Sequence, residues 1–269
     1  MRFIENNGNL IHEVKIISLN TFGGKLKNEL YGFLEDQRDQ IDIFCFQEIF
    51  DSNSTILESN GIRTHLFKEI SNILNNYQGF YNPQLSGYDQ AGEVNFDLTF
   101  GLSTFIKNGI KTIDKGEVFV HLEKGVGKIN FDGYTDIPRN MQYATIAIGN
   151  QKLTIFNLHG LWTKDKEDNN LRIKQSNKVR SFMKKFDGEK ILCGDFNLNP
   201  NTKSLNILDR GMKNLIKEFK ITSTRSSLYK KDQKFADYMI ISNGIKVVDF
   251  KVMDNLVSDH LSLYLEFAL

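Results

Sequence analysis

Apolar positions along the chain follow two rhythms. Runs rich in β-branched and aromatic residues recur at 14–20 (VKIISLN), 41–48 (IDIFCFQE), 98–106 (LTFGLSTFI), 143–149 (YATIAIG), 152–160 (KLTIFNLHG), 190–197 (KILCGDFN), 236–242 (ADYMIIS) and 261–269 (LSLYLEFAL). Such runs predict strands. Helical spacing links Leu26, Leu30, Phe33 and Leu34, then Leu66, Phe67, Ile70, Ile73 and Leu74, then Val179, Phe182, Met183 and Phe186. The mixture predicts an α/β protein. Asn150-Gln151 between two strand runs reads as a tight hairpin, so part of the sheet is antiparallel and a purely parallel doubly wound fold is disfavoured. Two packed sheets with outer helices suit this pattern. The least regular stretch, Tyr77 to Asn95 with its Gly, Asn and Pro83, predicts a long surface loop. No fixed-period repeat or proline-rich linker divides the chain, so residues 1–269 are read as a single domain.

Composition narrows the class. With 40% hydrophobic residues, 25% charged and only 3 prolines, the chain has the means for a sizeable core and is no disordered tail, collagen-like repeat or disulfide scaffold. No stretch reaches the roughly 18 apolar residues that span a bilayer. The N-terminal MRFIENNGNL lacks the apolar core of a secretion signal, so no stable membrane insertion and a cytoplasmic location are expected. Cys45 and Cys193 sit inside apolar runs and read as buried free thiols.

Net charge is +1, but its distribution is uneven: residues 161–234 hold 18 Lys and Arg against 9 Asp and Glu. The plainer reading, favoured here, is a solvated helix face over 170–186. The other is attraction to phosphate.

Polar side chains collect where apolar runs end. Asn20 closes the first run, Glu48 the second, His159 the fifth, and Asp195 with Asn197 the sixth. Any one of these is explained by turn chemistry. Together they are better explained by a shared cleft at the strand ends. Asp237 opens a later run, and Ser258-Asp259-His260 precedes the last. Adjacent side chains on an extended backbone point apart, so Asp259 and His260 need separate partners, and Asp237 is the candidate for His260. A carboxylate that orients an imidazole equips it for proton transfer near neutral pH. Glu48, Asp195 and Asp259, with amide oxygens from Asn20 or Asn197, form an all-oxygen set suited to Mg²⁺ or Mn²⁺ rather than zinc.

Ser-Leu-Asn20, Phe-Gln-Glu48, Asn-Leu-His159, Gly-Asp195-Phe-Asn197, Asp237-Tyr and Ser-Asp259-His260, in that order, resemble the endonuclease/exonuclease/phosphatase superfamily. That group includes deoxyribonuclease I, abasic-site endonucleases, deadenylases, neutral sphingomyelinases and inositol polyphosphate 5-phosphatases. The resemblance runs from residue 14 to 269 and implies a four-layer sandwich of two mixed β-sheets flanked by α-helices, as in deoxyribonuclease I. By the same resemblance, Glu48 is the principal metal ligand, Asn20 binds metal or phosphate beside it, and Asp259 is a second metal-site or water-positioning carboxylate. Asp195 orients or deprotonates the attacking water, and Asn197 holds a phosphate oxygen. His260, oriented by Asp237, stabilises the transition state or assists the leaving group, and His159 matches the second histidine of the deoxyribonuclease and sphingomyelinase branches. Such a set aims positive charge and donors at the negative charge that develops on phosphorus oxygens.

Departures from the family pattern refine the expectation. Ser262 stands where the family usually has proline, Asn157-Leu-His159 replaces the tyrosine motif of abasic-site endonucleases, and Phe235-Ala-Asp237-Tyr replaces the Cys-Asp-Arg signature of the inositol phosphatases. The two latter subgroups are disfavoured. Arg139, Arg225 and Tyr229 are candidates for substrate contact, whereas Trp162 reads first as a packing residue. The expected activity is a Mg²⁺-dependent (or Mn²⁺-dependent) phosphoesterase, a nuclease or phosphodiesterase with nucleic acid as substrate and direct attack by water. A lipid or small-molecule phosphatase, or a sphingomyelinase-like phosphodiesterase, is the second reading. A non-catalytic binding module is the third, and the intact set of polar residues argues against it.

Overall fold

The computed structural model describes residues 2–6, 9–125, 129 and 135–269. Its strands are β1 (Arg2–Asn6), β2 (Asn9–Asn20), β3 (Ile43–Asp51), β4 (Glu58–Ser59), β5 (Ile62–Arg63), β6 (Tyr77–Ser86), β7 (Thr99–Lys107), β8 (Thr112–His121), β9 (Arg139–Ile148), β10 (Gln151–His159), β11 (Glu189–Asp195), β12 (Lys213–Asn214), β13 (Asp237–Ile241), β14 (Lys246–Val252) and β15 (Leu263–Ala268). The helices are α1 (Lys27–Gln37), α2 (Leu66–Ile73), α3 (Asn170–Met183), α4 (Lys203–Leu208) and α5 (Leu215–Glu218). One sheet has the order β14-β15-β2-β3-β7-β6, with β1 paired to β2; the other runs β12-β13-β11-β10-β9-β8. Each is mixed, because β2/β3 and β10/β11 are parallel while their other neighbours are antiparallel.

Side chains alternate between the two faces of a strand. In β2 and β3 both faces are apolar, so both must be covered. Val14, Ile16, Ile43 and Cys45 join Ile155, Ile191 and Cys193 of the second sheet in one buried cluster. Ile17, Leu19, Phe44 and Phe46 pack instead with Leu30 and Leu34 of α1 and Leu66 and Ile70 of α2. On the far side, Val179 and Met183 of α3 are buried with Phe156. Helix, sheet, sheet and helix make the four layers expected from the sequence. Polar pairs also cross the middle: Gln47 Nε2 donates to Asn157 Oδ1 at 2.7 Å, and Thr104 Oγ1 to Gln142 Oε1 at 2.6 Å. An unpaired amide there would be costly, so these bonds favour one register of sheet on sheet. Cys45 and Cys193 are buried and free, as expected.

Two local expectations are corrected. The stretch Tyr77 to Asn95 is not a long loop: its first half is β6, antiparallel to β7 at the edge of the sheet. Pro83 is tolerated there because an edge strand has N–H groups with no ladder partner, and the register shifts between Pro83 and Leu85. The hairpin turn is Gly149-Asn150 rather than Asn150-Gln151, since Gln151 already pairs with Ile148 and Gly149 supplies the positive φ of +56°.

Candidate active site

The register sets one row of the site. His159 is opposite Asp195 across β10 and β11, and Asp195 is opposite Asp237 across β11 and β13. Three chain-distant residues thus become neighbours at one end of the strands. Gly194 permits the close fit: its φ is +129°, and a Cβ there would lie 2.1 Å from the Leu158 carbonyl oxygen. In the other sheet Asn20 closes β2, while a register shift between Phe46 and Ile49 lets Gln47 and Glu48 oppose a single residue of β7. Glu48 adopts φ +58° at this bulge, which turns its carboxylate out of the ladder and into the cleft.

Side-chain contacts join the two rows. Asn20 Nδ2 donates to Glu48 Oε1 and to Asp195 Oδ2, both at 3.1 Å. Its Oδ1 accepts the Phe22 N–H at 3.0 Å, so Asn20 faces the carboxylates as a donor and offers them no ligand oxygen. His260 Nδ1 lies 2.9 Å from each Asp237 oxygen, and its Nε2 is 3.6 Å from Asp195 Oδ2. His159 Nε2 reaches the same Asp195 oxygen at 3.7 Å. The Asn197 N–H donates to Asp195 Oδ1 at 2.9 Å, while the Asn197 side-chain Oδ1 is buried without a partner.

Electrostatics follow from this crowding. Burial alone would raise the Asp195 carboxyl, but His260, His159, Arg225 and Lys166 outweigh it and hold the group below the usual carboxylate range. Burial raises Glu48 above its ordinary value, and the charge of Asp259 adds to the rise. Burial and Arg225 pull the His260 imidazole down, yet Asp237, Asp259 and Asp195 prevail and leave it raised. His159 moves the other way, lowered by burial and by Arg139, and stays neutral near pH 7.

The substrate candidates reach the same place. Arg139, Arg225, Tyr229 and Asp259 line the cleft, which measures about 330 Å³. Arg139 is buried, and its Nε and Nη1 have no partner. Burial pulls its guanidinium down to about 10, and Asp195 and Glu48 oppose that shift. Arg225 Nη1 sits 3.2 Å from Asp259 Oδ2 and against His260 Nε2, with its guanidinium 4.1 Å over the Tyr229 ring. Most of the basic surplus lies elsewhere. Lys174 and Lys178 are exposed on α3, and of the cations in 161–234 only Arg225 and Lys231 line the cleft. That agrees with the solvated-face reading for the greater part of the segment.

Sequence reasoning missed two contributors. Gln90 Nε2 donates to Glu48 Oε2 at 2.7 Å from the loop after β6, and Lys166, 1% exposed, stands close enough to Asp195 to lower it. Neither residue closes an apolar run, which was the signal used. Trp162 also lines the cleft rather than filling the core.

The donors present fit a hard divalent cation. Glu48 is held by two amide donors and pairs with no lysine or arginine among the described residues, and Asp259 stands near enough to raise it. Carboxylate oxygens with no direct lysine or arginine partner, as on Glu48, are the hard ligands that Mg²⁺ or Mn²⁺ takes. A second grouping, Asp195, Asp237 and His260, has ligand atoms within 4.8 Å of one another. There, however, His260 and Asp237 are already joined at hydrogen-bond distance.

Comparison with known proteins agrees with this geometry. The sequence profile of the Endonuclease/Exonuclease/phosphatase family matches residues 17–260, and the chain belongs to that family. It is therefore a phosphoester-hydrolysing enzyme. A family member from Bacteroides thetaiotaomicron has a similar structure, with a TM-score of 0.71 at 16% identity over 96% of this chain and 98% of that one. The mannosyl-6-phosphatase of the same organism gives 0.68 at 15% identity, covering 95% and 100%. The human Nocturnin catalytic domain with bound sulfate gives 0.67 at 18%, covering 95% and 93%. A search of curated protein sequences finds no match. Among the described residues no helix is long and apolar enough to cross a membrane.

Proposed function

We propose that this single-domain, cytoplasmic protein is a Mg²⁺- or Mn²⁺-dependent phosphodiesterase that hydrolyses nucleic-acid phosphodiester bonds by direct attack of water. The observation that carries the reading is the convergence of the Asp237–His260 pair, Asp195 and Arg139, whose Nε and Nη1 are free of partners, in one cleft with Glu48. Glu48 and Asp259 would hold the cation, which supplies Lewis-acid polarisation of the phosphoryl oxygen.

The chain's own residues do the remainder. Asp195, held ionised by His260, Arg225 and Lys166, is a weak base but still a charged acceptor, so it orients the attacking water through a hydrogen bond. With its Nδ1 proton donated to Asp237, His260 turns Nε2 toward the cleft. Its raised pKa favours the imidazolium, which needs an acceptor at Nε2. Arg225 Nη1 donates to that nitrogen while the imidazole is neutral; once Nε2 is protonated the two groups are both donors, and a phosphoryl oxygen entering there would accept from both. Arg139 adds a third donor for the charge developing on phosphorus oxygens. Asn20 fixes Glu48 and Asp195 relative to one another.

A small-molecule phosphoesterase, on a sugar or lipid phosphate, is the second reading. The restricted cleft and the structural likeness to a mannosyl-6-phosphatase favour it. A panel of single-stranded and duplex DNA, RNA, sphingomyelin, inositol phosphates, mannose 6-phosphate and aryl phosphates, each with Mg²⁺ or Mn²⁺, decides between them. Efficient turnover confined to the monoesters or to sphingomyelin overturns the nuclease reading.

A further inference from the structure

The chain has one tryptophan, and the fold puts it at the catalytic cleft. Trp162 follows His159 by three residues and is only half-buried, although the core elsewhere takes up large apolar side chains. Lys231 Nζ lies 4.9 Å over its ring. Beside it, Arg225 lies 4.1 Å over Tyr229. Two aromatic faces, each carrying a cation, therefore stand in one cleft with Asp195 and His260. The aromatics come from the segment just after β10 and from the loop that leads into β13, so catalytic strands fix both.

This chemistry selects among phosphoesters. A ring face draws another flat π-system, a neighbouring cation draws phosphate, and every nucleobase offers a face whatever the sequence. A hexose has no π-system and meets a ring through its C–H groups alone, so the planar base gains more from two flanking cation-bearing rings. A cleft of about 330 Å³ falls at the small end of ligand pockets, which suits one nucleotide unit and not a duplex. We propose that Trp162, with Lys231, forms a base-stacking subsite beside the catalytic centre that holds the nucleoside attached to the scissile phosphate. The inference rests on the phosphodiesterase reading and narrows it to a substrate whose reacting nucleotide is single-stranded or terminal.

Because Trp162 is the sole tryptophan, its fluorescence reports on this cleft alone. The experiment titrates the whole protein with AMP, ribose 5-phosphate and mannose 6-phosphate, with Ca²⁺ in place of Mg²⁺ and again without added metal, reading tryptophan emission and calorimetric affinity. AMP is expected to quench the emission and to bind about tenfold tighter than ribose 5-phosphate, the base being the difference between them. Trp162→Ala should remove that advantage and leave ribose 5-phosphate affinity unchanged, while Trp162→Phe keeps part of it. Equal affinity of AMP and ribose 5-phosphate overturns the subsite. So does quenching by mannose 6-phosphate as strong as by AMP. A base-dependent quench in a protein that cleaves no oligonucleotide upholds the subsite and sinks the nuclease reading. Oligonucleotide cleavage with no base-dependent quench does the reverse.

Discussion

His260 Nδ1 lies 2.9 Å from both oxygens of Asp237, a residue that is itself the register partner of Asp195. The pair is buried, so the carboxylate's charge is weakly screened and fixes both the tautomer and the direction of the ring. His260→Ala should lower turnover by several orders of magnitude, about 4 kcal/mol of transition-state stabilisation, with the fold retained. Asp237→Asn should cost less, because it removes orientation and charge support but leaves the imidazole. Turnover numbers with circular dichroism as the folding control check both. A folded His260→Ala protein with near-normal rates would refute the proposed role.

Metal dependence should be complete. Glu48 has amide donors but no lysine or arginine at ion-pair distance among the described residues, while Asp259 adds negative charge beside it. Hydrolysis should stop in chelator and return with Mg²⁺ or Mn²⁺. Gln90→Ala, which frees one Glu48 oxygen, should weaken Mn²⁺ binding by about tenfold without changing the melting temperature. Calorimetric titration reads the affinity, and an unchanged value means that Gln90 does not position the ligand.

Lys166 gives a pH-dependent stability test. Burial, with Arg225 adding to it, pulls its ammonium down to about 8 from the ordinary 10.5. Between these values the unfolded chain binds more protons than the folded one, so native stability rises as pH rises from about 8 to 10.5. Below pH 8 the buried charge costs roughly 3 kcal/mol, a net figure that already includes the attraction of Asp195 and Asp237. Lys166→Met should therefore gain most over the native protein at pH 7 and lose that advantage toward pH 10.5. Urea melts at pH 7 and pH 10 measure the difference; an advantage that grows with pH contradicts it.

Salt dependence separates a long polyanion from a small phosphate. Arg225 and Lys231 line the cleft while Lys174 and Lys178 do not, so few cations track a bound strand. Oligonucleotide affinity should fall with salt on a slope of a few units on log axes, and Arg225→Ala should flatten it by about one. A slope indifferent to Arg225 removes it from phosphate contact.

The eight strands predicted from apolar runs are all present, and so are the three helices predicted from spacing. Each of those strands lies inside a sheet, under cover on its faces, so its sequence had to be apolar. The longer strands missed, β6, β8 and β14, are edges, and so is the two-residue β12. An edge strand is half-solvated and tolerates Pro83, Asp114 or Lys251, so its sequence resembles a loop. The polar residues at strand ends were legible for the same reason: a carboxylate closing a buried run interrupts the apolar pattern. What the sequence could not determine is which of them meet. Asn20 and Asp195 are 175 positions apart, and only the register of β10, β11 and β13, with one sheet laid on the other, brings them within 3.1 Å. The bulge that aims Glu48, the burial of Lys166 and the placing of Trp162 in the cleft depend likewise on long-range packing, which no local periodicity encodes.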